Sequence, residues 1–144
     1  MVLSLFTRNR QHEVQSFVLN LLNNHCPKWN IGGDELRLES RINLSLVVYV
    51  VPIEEGKPQI DRSFATVSVE FSNTGMSIVL MEPRPLDEVV LGFPRAGSNT
   101  ITLVQAQAKH LSPMGAGIFK LGLKLQKVLP PDDYPELAAI ADRF

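Results

Sequence analysis

Two arginines, Arg37 and Arg41, stand four positions apart in the stretch Arg37-Leu38-Glu39-Ser40-Arg41, just ahead of a strand-like run. A guanidinium is planar and always charged. It can grip a phosphate with two parallel hydrogen bonds, pair with guanine O6 and N7, or stack on a base. Farther along, Glu70-Phe71-Ser72-Asn73-Thr74-Gly75 offers a carboxylate, a hydroxyl and a glycine. The carboxylate can accept from guanine N1–H and the N2 amine, and the hydroxyl can donate to a phosphate oxygen. Gly75 is suited to a positive φ at a turn that gives close access to backbone N–H groups. Together these residues describe a pocket for a purine ligand that carries phosphate. Each also has an ordinary role: solvated surface charge for Arg37 and Arg41, a plain hairpin for Ser72 and Gly75, an exposed strand carboxylate for Glu70.

The elements that would position them follow from apolar periodicity. Val14, Phe17, Val18, Leu21 and Leu22 fall on one face of a helix over about residues 11–25, which Pro27 ends. That face is expected to cover one end of a barrel. After Gly32-Gly33, Ile42, Leu44, Leu46, Val48 and Val50 alternate with their neighbours as in a half-buried strand, which Pro52 closes before a turn at 53–59. In residues 64–80, Val67, Val69 and Phe71 share one face, and Ser68, Glu70 and Ser72 share the other. A turn at Asn73-Thr74-Gly75 separates them from Met76–Leu80. Residues 85–94 give a short strand.

In 100–110 the apolar parity switches between Leu103 and Val104, which predicts a β-bulge. Residues 112–117 are expected to form a loop. Phe119, Leu121, Leu123 and Leu125 then point inward, with Lys120, Lys124 and Gln126 outward. About six strands with short turns predict a small antiparallel barrel. The final segment, 130–144, predicts a helix with Leu137, Ala138, Ile140, Ala141 and Phe144 on one face and capping-box spacing at Asp133 and Glu136.

Composition narrows the function. The chain has 144 residues and a formal net charge of -1. A duplex-coating nucleic-acid binder carries a basic excess, so any anion site here must be local and neither DNA nor RNA is expected as a partner. Aromatic residues are 7% of the chain and several fall on core-facing positions, which argues against the stacking platform of a single-strand binder. With one cysteine, Cys26, no disulfide can form within the chain. No apolar run approaches the length needed to span a bilayer, and the first residues do not resemble a signal peptide. A cytoplasmic protein without membrane insertion is expected. His12, His25, Cys26 and His110 lack metal-ligand spacing. No nucleophile–base pairing or P-loop is visible, so neither an enzyme nor a resident cofactor is expected.

The order Arg37-x-x-x-Arg41, a gap, then Glu70-x-Ser72-x-x-Gly75, followed by Ile118-Phe119-Lys120-Leu121-Gly122-Leu123-Lys124-Leu125, resembles the PilZ domain. The resemblance covers about residues 34–129 and implies a six-stranded antiparallel β-barrel that binds cyclic di-GMP. Residues 1–33 would then be an N-terminal helix and flexible lead-in, and 130–144 a C-terminal helix packed on the barrel. It further implies that Arg37 and Arg41 wrap the ligand from a flexible segment. Ser72 and Gly75 would hold the motif turn, and Glu70 would stand where the family has Asp or Asn. A stand-alone domain of this kind would pass a second-messenger signal to an effector protein. The alternative is a PilZ-like interaction module that has lost nucleotide binding, with Glu70 paired to an arginine. If the arginines wrap the ligand, saturating cyclic di-GMP should slow trypsin cleavage after Arg37 and Arg41 while leaving cleavage after Arg62 unchanged. Equal rates at the two arginines would exclude wrapping.

Overall fold

Six strands pair edge to edge into a closed ring. The computed structural model describes residues 12–22, 41–95 and 100–144. Its strands are β1 (Ile42–Asn43), β2 (Val47–Glu54), β3 (Lys57–Pro58), β4 (Phe64–Phe71), β5 (Gly75–Leu80), β6 (Glu88–Pro94), β7 (Ile101–Gly115) and β8 (Ile118–Leu129). The order is β1-β4-β5-β8-β7-β6-β2-β3, and a further β2–β4 pairing closes the ring. All pairings are antiparallel. β1 and β3 are two-residue extensions at its rims. This is the expected barrel.

The interior is filled by alternate residues of every long strand, among them Val48, Val50, Phe71, Ile78, Leu91, Val104 and Leu123. Helix α1 (12–22) adds Val14, Val18 and Leu22 to the same cluster, with Phe17 and Leu21 packed against it. The Phe17 and Phe93 rings lie 5.2 Å apart at a tilt of 57°. The expected helix stripe therefore serves as part of the barrel core. Residues 11 and 23–25 of the expected helix, and Pro27 with Gly32-Gly33, lie outside the described residues.

A second apolar layer covers part of the barrel's outer wall. Val51, Val90, Ile101, Leu103 and Leu129 point outward and pack with Leu137 and Ile140 of the C-terminal segment. This corrects the bulge expected at Leu103–Val104. The β6–β7 register runs unbroken from Pro94↔Ile101 to Glu88↔Gln107. Leu103 and Val104 are both buried because each faces a different core. The slips in register lie elsewhere, between Gln105 and Ala106, Ala108 and His110, and Pro113 and Gly115.

The C-terminal segment is not one helix. A 3-10 turn at Pro131–Asp133, a single α-turn α2 at Pro135–Ala138 and a 3-10 turn at Ile140–Arg143 follow one another. Proline disfavours helix in the residue before it but is accommodated in a first turn, so Pro131 and Pro135 restart the chain rather than extend one helix. The expected Asp133 cap is absent: Tyr134 precedes α2 and makes no side-chain capping bond. Tertiary packing holds the segment instead. The Tyr49 and Phe144 rings stack at 5.1 Å. A Cβ on Gly92 would come within 2.8 Å of Ile101 Cδ1, so glycine lets this layer sit close to β6.

Residues 112–117, expected as a loop, mostly continue β7. The hairpin turns at Ala116-Gly117, which have φ of 56° and 79°. Beyond Ala108, β7 pairs only with β8 among the described residues.

The strand expected over residues 41–51 is broken at 44–46, and β4 bends opposite the break. Register slips by one residue between the β1–β4 and β2–β4 pairings, and again between Ser68 and Glu70 on the β5 side. Ser68 bridges the gap. Its hydroxyl accepts from the Leu46 N–H at 2.8 Å and donates to the Leu44 carbonyl at 2.5 Å. The bend also corrects the expected faces of β4. Ser68 is buried and Val67 is exposed, whereas Phe71 is buried, because the extra residue of the bulge resets the alternation. Ser68→Ala should leave two backbone groups unpaired and lower stability by about 1–3 kcal/mol, measured by urea unfolding. Ser45→Ala, at an exposed neighbouring position, should change it little.

Candidate functional site

The bend in β4 turns Glu70 to the outer wall. There a row of paired residues crosses five strands: Asn43, Glu70, Ser77, Gly122 and His110. Residues directly opposite in an antiparallel pair project to the same side. Lys120 and Lys124 lie two positions either side of Gly122 and therefore share its face. Above this row opens a cleft of about 350 Å³ lined by Arg41, Glu70, Ser72, Thr74, Gly75, Ser77, Lys109, His110, Ser112, Lys120, Gly122 and Lys124, among others.

Four of the five sequence-selected residues, Arg41, Glu70, Ser72 and Gly75, line this one cleft although up to 34 positions separate them in the chain. Arg37 lies outside the described residues. Arg41 Nη1 approaches Glu70 Oε1 at 2.8 Å, and Lys120 Nζ approaches the same oxygen at 3.3 Å. Glu70 is mostly buried, with 16% of its side chain exposed, while Arg41 is 69% exposed. Burial pushes the Glu70 carboxyl up. Hydrogen bonds from Lys120 and Arg41, with the charge of both, outweigh burial and hold its pKa below the ordinary value.

Ser72 and Gly75 close the β4–β5 turn. The Ser72 N–H donates to the Gly75 carbonyl at 2.9 Å, and its hydroxyl reaches the same oxygen at a long 3.4 Å. The Thr74 carbonyl accepts from the Leu125 N–H at 2.8 Å and ties the turn to β8. Gly75 does not adopt the positive φ expected of it; among the described residues the glycines that do are Gly56, Gly115 and Gly117. Its requirement is steric. A Cβ there would lie 3.0 Å from the Leu123 carbonyl and 3.2 Å from Ser72 Oγ.

Sequence reasoning missed the far wall. Lys109, His110, Ser112, Lys120 and Lys124 belong to the β7–β8 hairpin and face the motif residues across the cleft. The available signal was Lys120-Leu121-Gly122-Leu123-Lys124, where two outward lysines flank an outward glycine. The lining sets the cations Arg41, Lys109, Lys120 and Lys124 against one carboxylate, Glu70. The chain as a whole carries a net charge of -1, so the positive surplus is concentrated here. By contrast, a second hollow beside Pro52 and Leu86 balances Glu54 and Asp61 with Arg62 and Arg84.

Fold and cleft define a small antiparallel β-barrel with an anion-attracting groove on its outer wall. No family model matches the chain, and no curated protein matches it either. Among solved structures it is similar to the Bacillus subtilis inhibitor of motility, MotI/DgrA, at 16% identity with a TM-score of 0.48. The similarity covers 72% of this chain and 48% of that one, so this chain spans about half the length of that structure. Among the described residues, no helix is long and apolar enough to cross a membrane.

The ion pairs at Glu70 give a pH test. A carboxyl held low in the folded state contributes stability above its ordinary value of 4.5, and that contribution is lost as pH falls through the depressed folded value. The Glu70 side-chain carbon should titrate by NMR with a midpoint below 4.5, and Lys120→Gln should raise it. A parent midpoint at or above 4.5 would contradict the geometry.

Proposed function

We propose that the cleft binds cyclic di-GMP and that the barrel serves as a receptor or adaptor, passing occupancy to an effector protein. The observation that carries this reading is convergence. Arg41, Glu70, Ser72 and Gly75, selected by motif alone, line one cleft with a surplus of positive charge. A dianionic ligand matches that surplus, and Coulomb attraction in a partly enclosed groove exceeds that at an open surface. The Arg41 guanidinium offers phosphate and guanine contacts, and Glu70 offers an acceptor for the guanine N1–H and N2 amine. Because Arg41 is mainly exposed, its pair with Glu70 is worth only about 0–1 kcal/mol and does not bar exchange of partners. Arg37 completes the pair that the motif resemblance implies.

The double pairing at Glu70 favours one rival reading, an interaction module whose site is closed by its own ions. Calorimetry decides between them. The purified chain should bind cyclic di-GMP and bind cyclic di-AMP far more weakly, since adenine lacks the N1–H and N2 amine. Arg41→Ala should weaken binding by about 1–3 kcal/mol with little change in melting temperature. If the parent takes up no cyclic di-GMP but Glu70→Asp does, the ion pairs close the site and the rival reading holds.

A further inference from the structure

The floor of the cleft holds an unexplained polar group. Ser77 is 3% exposed, lines the cleft from β5, and its hydroxyl has no hydrogen-bond partner among the described residues. An unpaired buried hydroxyl is destabilising, and native chains seldom keep one without a use for it. Gly122 is its cross-strand partner on β8. A Cβ on Gly122 would meet nothing closer than the His110 carbonyl at 3.5 Å, so neither backbone conformation nor crowding demands glycine there. What the missing side chain does is leave a hollow beside the Ser77 hydroxyl, with Lys120 and Lys124 on either side.

We propose that Ser77, the bare Gly122 and the flanking Lys120 and Lys124 ammonium groups form a phosphate-oxygen subsite in the floor of the cleft. The subsite is distinct from Arg41 and Glu70, the groups suited to reading a purine. It deepens the nucleotide reading given above by assigning the phosphate to the β5–β8 floor. The Ser77 hydroxyl donates to one phosphate oxygen and thereby gains the partner it lacks. Lys120 holds Glu70 Oε1 at 3.3 Å with one of its three N–H donors, so the same ammonium can serve carboxylate and phosphate together. Lys124 lies on the opposite side of the hollow and is exposed, free to swing over a bound anion.

Two probes separate the phosphate itself from the nucleotide that carries it. Backbone-amide NMR of the full chain with inorganic pyrophosphate should show saturable shifts at Ser77 and Gly122. Ser77→Ala and Gly122→Ala should each weaken pyrophosphate roughly tenfold, as expected for loss or obstruction of a hydrogen bond to a charged group. Lys57→Gln, in the β2–β3 hairpin, is the charge control and should not change the affinity. The Ser77→Ala protein without ligand should melt no lower than the parent, because the change removes an unpaired hydroxyl; a residue that only supported the fold would behave in the opposite way. Absence of shifts at both amides, or parent affinity in Ser77→Ala, overturns the subsite. The same variants titrated with cyclic di-GMP distinguish the two ideas. Pyrophosphate bound at Ser77 without uptake of cyclic di-GMP keeps the subsite and removes the nucleotide reading. Cyclic di-GMP bound at parent affinity by Ser77→Ala removes the subsite and keeps the nucleotide reading.

Discussion

The site depends on how β4 bends to close the barrel. β4 must pair with β5 on one edge and, on the other, with both β1 and β2, whose registers differ by one residue. The Ser68 hydroxyl takes the place of the missing ladder bonds at Leu44 and Leu46. Buried backbone groups need partners, so this single side chain permits a break that would otherwise be costly. The bulge reverses the alternation of β4 and sends Glu70 outward while Phe71 stays in the core. It also sets Arg41, just before β1, against Glu70.

Glu70 then organises charge across strands distant in sequence. One oxygen engages a cation from the segment before β1 and another from β8. Without that carboxylate, Arg41 and Lys120 would face each other across the cleft with no anion between them. The arrangement keeps both cations near the groove and leaves a positive surplus. The exposure of Arg41 keeps its bond weak enough to exchange. A ligand phosphate would offset the repulsion that remains.

Two apolar layers leave part of the barrel wall without an apolar cover among the described residues. The interior cluster takes α1, and the outer cluster takes the C-terminal turns on the wall of β2, β6, β7 and β8. The outer faces of β4, β5 and the first half of β8 have no such cover among the described residues. That wall carries Glu70, Ser77, Lys120, Gly122 and Lys124. The cleft occupies the part of the barrel surface that the second layer leaves open.

Alternation of apolar residues in β2 and β8 made the barrel legible in the sequence, because a strand half-buried on one face must repeat every two residues. The helical stripe of α1 was legible for the corresponding reason at a period of 3.6. The motif spacing marked Arg41, Glu70, Ser72 and Gly75. Errors arose where a pattern had two physical causes. Leu103-Val104 reads as a bulge, but adjacent apolar residues also arise when both faces of a strand are covered. Val67, Ser68 and Val69 read as regular alternation, yet a bulge there depends on the register of two neighbouring strands at once. The segment 130–144 carried helical spacing but has prolines that divide it, and packing on the outer wall, with Leu103, Leu129 and Tyr49 among its partners, holds it. Gly75 is a glycine for want of space rather than for a positive φ, which no local pattern reveals. The sequence alone thus determined the barrel class, the core faces of β2 and β8 and the spacing of the motif residues, since each is written in local pattern. Tertiary structure decided which cations meet Glu70, that Ser77 sits buried without a partner among the described residues, and that the β7–β8 hairpin forms the far wall, because those facts depend on register between strands distant in the chain.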